Sequence, residues 1–166
     1  HGIGRRQRQM CIRDRLSPSK FEDIANQSGA VILDVRTADE FSKGHIPNSI
    51  FIGIDGGFAP WVGTLIGDTQ HPIILVTPKG REEETITRLS RVGFDNTLGY
   101  LEDGITAWTA AGKDIEQIEN VTAAQLQTKI EDGAALFDVR KENEYDSVHI
   151  PNATLIPLDK INESLN

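Results

Sequence analysis

Residues 29–55 read GAVILDVRTADEFSKGHIPNSIFIGID, and residues 133–159 read GAALFDVRKENEYDSVHIPNATLIPLD. The two stretches align without a gap at an offset of 104 (133 − 29), and 12 of their 27 positions are identical. The shared set pairs Asp34 with Asp138, Arg36 with Arg140, Glu40 with Glu144, and His45 to Asn48 with His149 to Asn152. A period of this length marks a duplicated domain, because solenoid repeats recur every ~20–50 residues. The first unit is read as residues 16–119. The second, residues 120–166, is read as the opening of the same domain, truncated, and the chain is expected to be a fragment of a longer protein.

Within the first unit, short aliphatic runs alternate with amphipathic stretches. Val31–Val35, Ile50–Ile54, Ile73–Val76 and Thr97–Leu101 are expected as strands. Runs apolar at every position suit a parallel sheet covered on both faces. Helices are expected over Lys20–Gln27, Ala38–Lys43, Arg81–Val92 and Asp103–Ala111. The alternation specifies an α/β domain. Gly53, Gly56, Gly57, Gly63 and Gly67 are read as a mobile connection; no Lys-Ser/Thr follows them, so they do not form a phosphate loop.

Charge is unevenly distributed. The chain of 166 residues carries a net charge of −8, yet residues 1–15 hold five arginines and one aspartate, a net of +4. The rest therefore carries −12, and a body that acidic repels a phosphate backbone, which argues against nucleic acid as a partner. Residues 1–15 lack the apolar segment of a secretory signal and any periodicity, and QRQMCIRDR resembles translated sequencing-adapter read-through. They are read as a non-native or disordered head. Cys11, the only cysteine, lies in it, so the body can form no disulfide, and a cytoplasmic location is expected. No apolar run approaches the ~20 residues that a membrane helix needs.

The motif D-V-R-x-x-x-E-F-x-x-G-H-I-P-N-S at Asp34–Ser49, V-G-F-D-N-T at 92–97 and G-I-T-A-W at 104–108 together resemble a rhodanese domain. The resemblance spans the first unit and what is present of the second. It implies a five-stranded parallel sheet flanked by helices, and transfer of sulfane sulfur through a cysteine persulfide. G-Y-L-E-D-G-I-T-A-W-T-A-A-G-K at Gly99–Lys113, followed by N-V-T-A-A-Q-L at 120–126, is similar to proteins that fuse a metallo-β-lactamase-fold persulfide dioxygenase to two rhodanese domains. Sulfur-carrying small molecules, or other domains of the parent protein, are the partners this implies.

In the family the nucleophilic cysteine follows a strand, with glycine three residues later and arginine five later. The corresponding loop here is Thr77-Pro78-Lys79-Gly80-Arg81-Glu82. Gly80 sets the register, placing Thr77 at the cysteine position and Glu82 at the arginine position. A hydroxyl carries no persulfide and ionises far less readily than a thiol of pKa ~8.5. Pro78 removes a backbone donor, and Glu82, Glu83 and Glu84 counter the positive field of the helix N-terminus. The loop is thus expected to cap a helix and not to cradle an anion. No catalytic residue is assigned, and the first unit is read as a scaffold or interaction domain. The alternative is a thiosulfate or persulfide sulfurtransferase whose active cysteine belongs to the remainder of the second domain.

Asp34, Arg36, Glu40 and His45, with Asp138, Arg140, Glu144 and His149, are assigned to the scaffold. Asp34 and Arg36 stand two apart on a strand and share a face, which suits an ion pair. His45, His71 and His149 lack the spacing of a zinc motif, so no metal and no cofactor are expected. Trp61 and Trp108 are read as packing residues. The second unit cannot cover both faces of a sheet, so apolar surface should remain exposed there.

Overall fold

The computed structural model describes residues 15–164; Cys11 and the remainder of the basic head lie outside them. The chain divides into two compact units, one ending at Ile118 and the other beginning at Glu119.

The first unit contains β1 (Arg15–Leu16), α1 (Pro18–Ser28), β2 (Val31–Asp34), α2 (Ala38–Lys43), β3 (Ile50–Phe51), α3 (Phe58–Leu65), β4 (Ile73–Val76), α4 (Glu82–Arg91), β5 (Thr97–Leu101) and α5 (Gly104–Ala110). The five strands form one parallel sheet in the order β1-β5-β4-β2-β3. β4 is central, and Ile73 to Val76 are all fully buried because a covered parallel sheet exposes neither face. On one side Leu33, Val35, Ile73 and Leu75 pack with Phe58 and Val62 of α3 and Ile86 and Leu89 of α4. On the other side Ile74 and Val76 pack with Phe21 of α1 and Trp108 of α5. Trp61 lies against the first of these clusters.

Three sequence expectations change. Arg15, assigned to the head, belongs to β1 and pairs in register with Tyr100. The glycine-rich connection contains α3, a two-turn helix whose Phe58 and Val62, four apart, fill the core. β3 stops at Phe51; Ile52 and Ile54 remain buried, but their N–H groups donate to Asp34 and Val35 carbonyls outside a regular ladder.

α2 begins with a capping box. The Thr37 hydroxyl accepts from the Glu40 N–H, while the Glu40 carboxylate accepts from the Thr37 N–H at 3.0 Å and the Thr37 hydroxyl at 2.6 Å. These bonds hold the Glu40 carboxyl below its ordinary range, the Thr37 side chain being the largest cause. Thr37→Ala is expected to cost about 1 kcal/mol at neutral pH. Because the folded-state pKa is depressed, Glu40 contributes its stabilisation above the unfolded value of ~4.3, and the contribution disappears as pH falls through the folded value. Urea unfolding at neutral and at acid pH checks this: the penalty of Thr37→Ala should shrink in acid.

The second unit contains α6 (Ala123–Glu131), β6 (Phe137–Asp138), α7 (Glu142–Ser147), β7 (Thr154–Leu155), a 3₁₀ turn at Leu158–Lys160 and α8 (Ile161–Ser164). β6 and β7 form a two-stranded parallel sheet. Among its described residues, Ala153 is the one buried apolar side chain, while Phe137, Val139, Val148 and Ile150 are exposed.

Candidate functional site

β2, β4 and β5 are parallel neighbours, so their C-terminal ends converge at one edge of the sheet, where ligand sites of open α/β folds form. Asp34 ends β2, Thr77 follows β4, and Glu102 and Asp103 follow β5. A cavity of about 570 Å³ opens there, with the Thr77 to Gly80 loop and Glu82 on one wall and Tyr100 to Thr106 on the other. Arg15, Arg36 and Glu40 complete its lining. Sequence reading brought out the β4 loop and the Asp34 motif but missed Arg15, Tyr100, Glu102 and Asp103. Their signal was positional: Glu102 and Asp103 follow β5, which lies beside β4, and Tyr100 of β5 pairs with Arg15 of β1.

The loop is shaped by Gly80, whose φ of +83° lies in the left-handed region that favours glycine. Arg81 donates its N–H to the Pro78 carbonyl at 3.1 Å, closing the turn that starts α4. The Glu82 side chain then reaches back and accepts the Gly80 N–H at 3.1 Å. Glu82, Glu83 and Glu84 occupy the first turn of α4, where carboxylates stabilise the helix. Arg81, the N-cap residue, makes no side-chain cap bond and instead binds Asp55 and Glu84, each at 2.8 Å. Arg81 holds the Glu84 carboxyl below its ordinary range. Thr77 is buried, and its hydroxyl makes no hydrogen bond among the described residues.

The charges around the cavity are largely satisfied by the chain itself. Arg36 Nη2 lies 2.6 Å from Asp34 Oδ2 and also donates to the Gly44 carbonyl at 2.8 Å. Arg36 Nε donates to both Asp34 oxygens. Arg15 Nε donates to the Tyr100 hydroxyl at 2.9 Å, and Arg15 Nη1 lies 3.3 Å from Glu102; Tyr100 foremost raises the pKa of Arg15. Lys79 has no ion-pair partner among the described residues. With Arg15 paired to Glu102 and Arg36 to Asp34, the lining presents the carboxyl groups of Glu40, Glu82 and Asp103 against Lys79. A field of that sign does not favour a small sulfur anion.

The remaining motif residues build the turn between α2 and β3. His45 is buried, donates its Nδ1–H to the Phe41 carbonyl at 3.0 Å, and stacks on the Phe41 ring with centroids 3.9 Å apart. Its Nε2 lies 3.7 Å from Glu116. The second unit repeats this geometry. Arg140 Nη2 lies 2.6 Å from Asp138 Oδ2 and donates to the Val148 carbonyl at 2.8 Å. His149 Nδ1 meets the Tyr145 carbonyl at 2.8 Å, and the two rings stack at 3.8 Å. Glu144 accepts from the Lys141 N–H at 3.3 Å as Glu40 does from Thr37. Asn48 and Asn152 adopt the same left-handed conformation, with φ of 62° and 68°. Arg140 holds Asp138 below its ordinary range. His71 lies apart, against the Gly29 carbonyl.

Among the described residues, no group of three or more His, Cys, Asp or Glu could hold a metal ion, and no helix is long and apolar enough to cross a membrane.

The chain is 32% identical over 93 residues to the YibN protein of Escherichia coli (strain K12), covering 55% of this chain and 63% of that one. A Buchnera aphidicola protein is 26% identical over 88 residues, covering 53% and 59%. The chain thus spans less than two thirds of these relatives. Among solved structures, the rhodanese-like domain of the Alr3790 protein from Anabaena sp. superposes with a TM-score of 0.56 at 20% identity, covering 79% of this chain and 94% of that one. SseA of Escherichia coli, a 3-mercaptopyruvate sulfotransferase, superposes with a TM-score of 0.51 at 16% identity, covering 89% and 75%. At these identities the likeness concerns the fold. The family described as Rhodanese-like domain matches residues 17–111 and again 122–166, and the chain, carrying both matches, belongs to that family.

Proposed function

We propose that the first unit is a rhodanese-like domain without sulfur-transfer chemistry of its own, serving as a scaffold or interaction domain in a protein that handles sulfane sulfur. The observation that carries this reading is the pair Thr77 and Glu82. A hydroxyl stands where the persulfide would form, and a carboxylate of the chain itself takes the Gly80 N–H that a bound anion would need. Threonine can act as a nucleophile when a neighbouring base takes its proton. Here the Thr77 hydroxyl has no hydrogen-bonded base among the described residues. The Asp34, Arg36, Glu40 and His45 set supports a structural role, since it bonds to the chain's own groups and forms the same contacts in the second unit.

The parent protein, on this reading, joins these units to a metallo-β-lactamase-fold persulfide dioxygenase, and the sulfur-carrying small molecules are ligands of the assembly. The arrangement at Gly99–Lys113 and 120–126 supports that context. Assay of the full 166-residue chain for thiosulfate:cyanide sulfur transfer should give thiocyanate at the buffer background. Turnover above that background would overturn the proposal.

A further inference from the structure

Thr77 lines the cavity at the end of the central strand and is 7% exposed, yet its hydroxyl has no hydrogen-bond partner among the described residues. Burying a hydroxyl without a partner is unfavourable, so a polar group that enters the cavity gains that bond. Three carboxylates from three elements line the same space: Glu40 of α2, Glu82 in the first turn of α4, and Asp103 after β5. Two of them have oxygens to spare. Asp103 makes neither a cap bond to α5 nor an ion pair among the described residues. Glu82 accepts the Gly80 N–H at Oε1, and its Oε2 has no partner among them. Of the lining cations, Arg36 is tied to Asp34 and Arg15 to Tyr100 and Glu102, which leaves Lys79, exposed on the loop.

The sign of the charge selects a cation, and the layout of the acceptors selects its shape. A guanidinium is a planar fork matched by one carboxylate in its own plane, whereas an ammonium is compact and donates in three directions. Acceptors contributed by a strand end, a helix start and a separate turn suit the ammonium. Pro78, Leu101 and Ile105 also line the cavity, and an alkyl stem behind the charge covers apolar surface of this kind.

We propose that this cavity binds a primary ammonium carried on an unbranched alkyl chain, with the Thr77 hydroxyl, Glu82 and Asp103 as its acceptors. The inference rests on the reading of the Thr77 loop as one without sulfur-transfer chemistry, and it gives the interaction role of the first unit a ligand class.

The probes are Nα-acetyl-lysine N-methylamide and, in a second arm, cadaverine, each titrated against the isotope-labelled full chain and followed by its amide resonances. Saturable shifts at Lys79, Gly80 and Gly104 are expected, and the arm with the smaller Kd identifies a lysine side chain or a free amine as the source. Acetylation of the lysine Nζ removes the charge and should abolish the shifts. Glu82→Gln, which keeps an oxygen for the Gly80 N–H, combined with Asp103→Asn should weaken binding about tenfold or more, and Thr77→Val about threefold. Glu83→Gln, exposed and outside the cavity, should leave binding as it was. The absence of saturable binding of either amine, equal binding of the acetylated ligand, or binding indifferent to the double substitution would overturn the inference. The acetylated ligand tests it on the unaltered chain, whatever the variants do to folding. Background sulfur transfer without amine binding would overturn this inference alone, whereas thiocyanate above background would overturn the reading of the loop beneath it.

Discussion

Asp34→Asn is expected to destabilise the first unit by about 3–5 kcal/mol, because it leaves the guanidinium of a buried ion pair without its counter-charge. The Asp34 side chain is 0% exposed and that of Arg36 10%, and the pair is bidentate, with a further backbone bond from the Arg36 N–H to Asp34 Oδ1. The second unit contains the control. Asp138 and Arg140 hold the same 2.6 Å contact, but the Arg140 side chain is 42% exposed, so water replaces much of what the pair supplies. Asp138→Asn should therefore cost its unit far less, as exposed ion pairs contribute little. Both tryptophans, Trp61 and Trp108, lie in the first unit, so the urea midpoint of tryptophan fluorescence reads that unit alone. A large fall is expected for Asp34→Asn and no change for Asp138→Asn. Equal effects of the two substitutions on their own units would show that burial does not set the strength of this pair.

The second large effect concerns the electrostatics of the β4 loop. In a Cys11→Ser background, Thr77→Cys places one thiol at the cavity. Cysteine thiols become reactive where cations, a helix N-terminus or convergent N–H groups stabilise the thiolate. Here Glu82 takes the Gly80 N–H, and three carboxylates offset the N-terminus of α4. The thiol of the single replacement should therefore titrate at or above the ordinary value of ~8.5. Adding Glu82→Lys releases the Gly80 N–H and reverses one charge, and should lower the titration midpoint by at least about one pH unit, a tenfold gain in thiolate at neutral pH. Ultraviolet absorbance of the thiolate against pH measures both. A single-replacement thiol already ionised well below neutrality would show that the loop retains an anion-stabilising field.

Much of the fold was legible because its central strands announce themselves. Ile73–Val76 is apolar at every position, which suits a sheet covered on both faces, and the ion pair expected of Asp34 and Arg36 forms, although β2 ends at Asp34 and Arg36 reaches back from the bend beyond it. α3 escaped because Pro60 and Gly63 oppose helix propensity, and burial of Phe58 and Val62 overrides it. β1 escaped for the opposite reason: two residues carry no periodicity, and Arg15–Leu16 is a strand because Tyr100 and Leu101 lie alongside to pair with it. The same non-local dependence concealed half of the cavity. The β4 loop is a contiguous motif, whereas Arg15, Tyr100, Glu102 and Asp103 meet it through strand order, which a linear reading does not contain.

The position of the Thr77 loop just past the central strand has a consequence for heredity. The atoms that hold the first unit together are in β4 and the helices above and below it, while Pro78 to Glu82 contribute little to that interior. Substitutions in the loop, Gly80 apart, can therefore accumulate over generations without being purged by misfolding, while the architecture is inherited intact.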